Sequence, residues 1–86
     1  MPYTLKVPDA VRAELRSYIR ADSSRRKQIQ DLLEGLRTDP HHSQTVRTDL
    51  PDCFFVELND FRLYYVCDDE RSEVRLFRFH QYWHHW

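Results

Sequence analysis

The chain has 86 residues, of which 41% are hydrophobic and 31% charged, with a single Gly and a formal net charge of −1. That length is enough for one domain, residues 1–86, and the balance excludes collagen-like, low-complexity and disulfide-scaffold chains. A nucleic-acid binder is usually basic, so any such role here rests on a local cluster and not on overall charge.

Residues 3–7 alternate, with Tyr3, Leu5 and Val7 on one side, which predicts a short strand ended by Pro8. Asp9 is placed to cap a helix whose apolar stripe is Val11, Leu15, Tyr18 and Ile19, ending near Asp22. Ser23 or Ser24 is placed to cap a second helix with the stripe Ile29, Leu32, Leu33 and Leu36, closed by Pro40. The short connection predicts an antiparallel helix hairpin. Residues 40–52 read as a loop, with a short extended piece at 45–48.

Three strands follow at residues 53–58, 61–67 and 73–79, joined by a two-residue turn at Asn59-Asp60 and a longer one at residues 68–72. The first turn sets Leu58 opposite Phe61 and Glu57 opposite Arg62. For the second turn, the expected pairs are Val66 with Val74, Tyr64 with Leu76 and Arg62 with Arg78. This register gives two faces. Phe54, Val56, Leu58, Phe61, Leu63, Tyr65, Phe77 and Phe79 form an apolar face for the helices. The other face carries Glu57, Arg62, Arg78 and His80, beside Phe55, Tyr64, Val66, Val74 and Leu76. The expected class is α+β, in the order β-α-α-β-β-β, with the helix hairpin on one face of an antiparallel sheet.

The polar cluster has the parts for phosphodiester chemistry. Attack of an RNA 2′-hydroxyl needs a base, cations on the phosphorane oxygens and an acid for the leaving 5′-oxygen. Glu57 or His80 supplies proton transfer, and Arg62 and Arg78 supply bidentate charge. The same residues are also compatible with a solvated cross-strand ion pair, worth about 0.2–1 kcal/mol.

The run Leu50-Pro51-Asp52-Cys53-Phe54-Phe55-Val56-Glu57-Leu58, followed by Phe61-Arg62-Leu63-Tyr64-Tyr65-Val66, resembles the hairpin of the RelE/ParE toxin superfamily of bacterial toxin–antitoxin systems. Arg78-Phe79-His80 is similar to the last-strand ending of its YoeB-type branch. The resemblance spans essentially the whole chain. It implies a ribosome-dependent mRNA endonuclease in which Arg62 stabilises the transition state and His80 is catalytic, with Arg78 and Glu57 beside them. It implies an RNA contact at Arg47 and assistance at Tyr82, while Tyr64 and Phe55, by their place on the open face, are candidates for base stacking or antitoxin contact. RelE itself has lysines where this chain has Phe55 and Glu57. The alternatives are a ParE-like inhibitor of DNA gyrase and a degenerate member that only binds an antitoxin.

The expected partners are a cognate antitoxin and mRNA on the ribosome. The half-apolar open face implies a cover, either an antitoxin segment or a second copy, in a homodimer or a toxin–antitoxin heterotetramer. Arg12, Arg16 and Arg20 form a basic stripe that is either a solvated helix face or a contact for phosphate or an acidic antitoxin. No cofactor and no metal are expected, since His41-His42 and His80, His84 and His85 lack a zinc-finger-type Cys/His spacing. Cys53 and Cys67 fall on opposite faces and are expected to be free thiols. Tyr82, Trp83 and Trp86 are expected to fold back over an apolar edge, stack on bases or meet a partner. No membrane association is expected, and the charged first twenty residues, with no apolar leader segment, lead to an expected cytoplasmic location.

Overall fold

A computed structural model describes residues 2–42, 44–58 and 60–82. The element order is β1 (Thr4–Lys6), α1 (Asp9–Ala21), α2 (Arg25–Thr38), β2 (Thr45–Arg47), β3 (Cys53–Leu58), β4 (Phe61–Asp68) and β5 (Glu73–Gln81). The strands form one five-stranded sheet in the order β1-β5-β4-β3-β2. Strand β1 runs parallel to β5, and the other neighbours are antiparallel. The α+β architecture with the helix hairpin on one sheet face is as the sequence implied. The extended piece after α2 is a true edge strand, and β1 makes the sheet mixed. No helix among the described residues is long and apolar enough to cross a membrane.

The helices form where the stripes predict. Val11, Leu15 and Tyr18 of α1 and Ile29 and Leu36 of α2 are buried. They pack on Val56, Phe61, Leu63, Tyr65, Val74, Leu76 and Phe79 of the sheet. Ser24 holds the cap position of α2, as expected, whereas Asp9 does not hold that of α1. Pro8 holds the cap position of α1 and accepts the Arg12 N–H at 2.9 Å, so Asp9 lies inside the first turn. There its charge complements the helix dipole. Ser24 precedes α2 without a side-chain cap, because its hydroxyl and N–H both donate to Asp22 Oδ1, at 2.7 and 3.1 Å.

The β3–β4 register is the expected one, from Cys53↔Val66 to Leu58↔Phe61. Asn59, half of the proposed turn, lies outside the described residues, as do Ser43 and the tail residues Trp83, His84, His85 and Trp86. The β4–β5 register corrects the expectation. Arg62 faces His80 and Tyr64 faces Arg78, then the ladder shifts so that Tyr65 faces Leu76 and Cys67 faces Val74. The shift is a bulge that reverses the phase of β5. Val74 and Leu76, expected on the open face, are fully buried under the helices. Phe77, expected in the core, stands 41% exposed on the open face. An uninterrupted strand would have placed either Leu76 or Phe79 in water, and burying both is worth roughly 1.5–3 kcal/mol per side chain.

Both cysteines are buried and free, as expected.

Candidate functional site

The open sheet face carries two adjacent rows of side chains that cross the strands. The first is Val46, Phe55 and Tyr64, continued by Phe77 and Arg78 at the bulge. Phe55 and Tyr64 ring centroids lie 5.5 Å apart, and Tyr64 and Phe77 lie 5.9 Å apart. The Arg78 guanidinium sits 5.9 Å from the Tyr64 ring centre. The second row is Glu57, Arg62 and His80, at the end of the sheet that bears the β3–β4 turn.

Arg62 is the hub of the second row. Its Nε donates to Glu57 Oε2 at 2.9 Å and to the Tyr82 hydroxyl at 3.0 Å. Its Nη2 lies 2.8 Å from Glu57 Oε2, and its Nη1 donates to the Tyr64 hydroxyl at 3.3 Å. The guanidinium stacks 4.2 Å above the Phe55 ring. The Tyr82 hydroxyl also donates to Glu57 Oε2, and the Tyr82 ring meets His80 edge-on at 5.5 Å. Its backbone N–H donates to the Asp60 carbonyl at 2.9 Å, which docks the residue after β5 against the turn that starts β4.

These contacts set the protonation states. The hydrogen bond from Tyr82, then that from Arg62, holds the Glu57 carboxyl below the usual carboxylate range. The hydrogen bond to Glu57 raises the Tyr82 phenol above its ordinary value. Hydrogen bonding to Tyr64, then to Glu57, raises Arg62 further. The group therefore holds a fixed cation, a carboxylate that resists protonation and a phenol that keeps its proton.

The structure brings together six of the seven expected site residues: Arg62, Glu57, His80, Arg78, Tyr64 and Tyr82. Arg47 is elsewhere. It pairs with Phe54, and its guanidinium lies 5.8 Å from the Phe54 ring on the helix-side face at the β2 edge. The sequence reading did not assign Phe77 to this face. The spacing of Arg75 and Arg78 carried the signal, since two arginines three apart cannot share one face of an unbroken strand.

A separate group lies at the opposite end of β4. His41, Cys67 and Asp69 bring their ligand atoms within 4.8 Å of one another. Their side chains come from the loop after α2, the end of β4 and the β4–β5 turn.

No family model and no curated protein matches the sequence. Solved structures do match. The isolated E. coli RelE toxin superposes with a TM-score of 0.74 at 21% identity, covering 96% of this chain and 87% of that one. The fold is that of RelE. The RelBE2 toxin–antitoxin complex from Mycobacterium tuberculosis gives 0.72 at 23% identity, covering 94% and 92%. A free-state E. coli RelE with two arginines replaced by alanine gives 0.69 at 23% identity, covering 94% and 84%. Coverage of 94–96% means that the RelE fold accounts for nearly all of the chain.

Proposed function

We propose that this RelE-fold chain is the toxin of a type II toxin–antitoxin pair and an endoribonuclease that cleaves mRNA on the ribosome. The observation that carries the reading is the direct cross-strand pairing of Arg62 with His80 on the sheet face that no helix among the described residues covers. The similarity to RelE and to the RelBE2 complex supports a toxin with an antitoxin partner.

In the proposed reaction the RNA 2′-oxygen forms a bond to phosphorus and the bond from phosphorus to the 5′-oxygen breaks. A base takes the 2′-hydroxyl proton, and an acid returns a proton to the leaving 5′-oxygen. The products are a 2′,3′-cyclic phosphate and a 5′-hydroxyl. Arg62 stabilises the phosphorane charge, because its fork of donors matches non-bridging oxygens. His80, opposite it, acts in proton transfer, the role for which histidine is best suited near neutral pH. Glu57, kept ionised, and Tyr82, kept protonated, hold Arg62 at rest and exchange it for phosphate when substrate binds. Arg78 adds a second cation, and Tyr64, Phe55 and Phe77 offer stacking platforms for bases splayed on the ribosome. Action on the ribosome places the protein in the cytoplasm.

A second reading has its own support. The donors of Arg62 already have partners within the chain, and the net charge of −1 is low for an RNA-bound protein. That pattern favours a non-nuclease toxin of the gyrase-inhibiting kind.

Expression of the wild type, Arg62→Ala and His80→Ala, with mRNA probed by primer extension, separates the readings. Growth arrest with new mRNA 5′ ends, lost in both variants, supports the nuclease. Arrest without cleavage supports a protein target. Absence of arrest refutes the toxin reading.

A further inference from the structure

We infer that His41, Cys67 and Asp69 form a zinc site, distinct from the Arg62 row and independent of the nuclease reading. The first argument is geometric. Tetrahedral zinc, with bonds of about 2.3 Å to sulfur and about 2.0–2.2 Å to nitrogen and oxygen, sets neighbouring ligand atoms about 3.3–3.6 Å apart. Here His41 Nε2 lies 3.5 Å from Cys67 Sγ and 3.0 Å from Asp69 Oδ1, and Cys67 Sγ lies 3.3 Å from Asp69 Oδ1. The triangle is that of three tetrahedral ligands, with both edges to the carboxylate contracted by a few tenths of an ångström.

The second argument is the support around the ligands. The Tyr3 hydroxyl donates to Asp69 Oδ1 at 2.8 Å, which fixes the carboxylate from behind. The Phe54 ring meets the His41 imidazole edge-on at 5.1 Å and aims it inward. The Cys67 thiol is buried at the base, while the side chains of His41 and Asp69 are 41% and 63% exposed. A depression lined by Asp52, Cys67, Asp68, Asp69 and Glu70 adjoins the cluster. Its acidic rim attracts a cation, and the open side leaves room for a water as fourth ligand. Sulfur, imidazole and carboxylate together are the donor set that zinc takes readily, whereas magnesium and calcium demand oxygen.

Cys67 lies five residues along β4 from Arg62, about 17 Å away at a strand's rise per residue. A bound ion would tie the loop after α2 to the β4–β5 turn and, through Tyr3, to β1. It would act as a staple in a domain too small for a large core. Sequence spacing hid it, because His41 and Cys67 are 26 positions apart.

The test is titration of the full chain with Co²⁺ and then Zn²⁺, in a buffer free of other metals. One equivalent of Co²⁺ should give a tetrahedral visible spectrum and a thiolate-to-cobalt charge-transfer band, both displaced by Zn²⁺. Zn²⁺ should raise the melting temperature in proportion to the logarithm of its concentration. Cys67→Ser should abolish the charge-transfer band. His41→Ala, at an exposed loop side chain that the fold does not need, should weaken binding by more than about tenfold, and Tyr3→Phe by about tenfold through the outer shell. Replacing His84 and His85 together should change nothing. Loss of binding in that tail variant, retention in His41→Ala, or a spectrum without thiolate character would overturn the assignment. So would failure of the wild type to bind. In that case the three side chains are a hydrogen-bonded cluster only.

Discussion

Removing the Tyr18 hydroxyl tests how the end of the sheet that carries Arg62 is held. Tyr18 is 4% exposed and donates to Asp60 Oδ1 at 2.6 Å. Arg25 completes the group: its guanidinium lies 4.1 Å over the Tyr18 ring and 3.6 Å from Asp60 Oδ2. The Asp60 carbonyl in turn receives the Tyr82 N–H, so one turn residue joins both helices to the candidate site. Tyr18→Phe keeps the ring and its edge contacts with Phe61 and Phe79, at 5.2 and 5.3 Å, and deletes one hydrogen bond. A hydrogen bond to a charged acceptor contributes about 1.5–3 kcal/mol. The Asp60 side chain is 27% exposed and keeps Arg25, which puts the loss at the lower end, about 1.5 kcal/mol. For a domain of this size that lowers the melting temperature by about 6–12 °C. Burial, then the bond to Asp60, pushes the Tyr18 phenol up to about 12. A folded value above the unfolded value of about 10 means stability that is complete below pH 10 and lost as pH rises towards 12. The gap bounds that loss at about 2.7 kcal/mol. Urea denaturation from pH 7 to 12 measures both effects. A Phe variant within 0.5 kcal/mol of wild type at pH 7, with the same alkaline decline, refutes the argument.

The bulge makes a paired prediction. Leu76→Ala should cost about 2–5 kcal/mol because the side chain is fully buried, whereas Phe77→Thr should cost less than about 1 kcal/mol. Equal costs in urea denaturation would contradict the register. Tyr65→Phe leaves the Pro40 carbonyl, which the hydroxyl meets at 2.5 Å, unpaired in the core, and should destabilise by about 1–3 kcal/mol in the same assay. The Glu57 side-chain carbonyl, followed by NMR, should titrate below a free glutamate and move back up in Tyr82→Phe, since Tyr82 makes the larger contribution. Glu57 favours the folded state above the ordinary carboxylate range, and that preference is lost as pH falls through its lowered folded value. Glu57→Gln should barely move the urea midpoint, because the pair is exposed, while freeing Arg62 for added phosphate.

Much of the architecture was legible because period and punctuation agreed. Val11, Leu15 and Tyr18 fall at helical spacing and are buried, and Pro8 and Pro40 mark the ends of β1 and α2. A two-residue turn leaves one register for β3 and β4, so Glu57 opposite Arg62 could be read directly. The β5 register could not be read from turn length alone, since a five-residue connection allows several pairings. The decisive constraint was non-local, the need to bury Val74, Leu76 and Phe79 under the same helices. The turn register and the bulge each add one step, and together they set His80, and not Arg78, opposite Arg62. The Arg47 expectation came from likeness to a family loop, and strand pairing placed its side chain on the other face. The His41, Cys67 and Asp69 cluster left no trace in spacing, because the topology alone joins the loop after α2 to the end of β4.

We propose that the Arg62 row cleaves mRNA on the ribosome. The most direct test of that proposal is single-turnover cleavage of mRNA in purified programmed ribosomes by the purified chain. The cut should carry a 2′,3′-cyclic phosphate and a 5′-hydroxyl. The rate should be lower by about 10²–10³-fold in Arg62→Ala and by about 10²–10⁴-fold in His80→Ala. Intact mRNA with the wild-type chain, or cleavage that survives both substitutions, would contradict it.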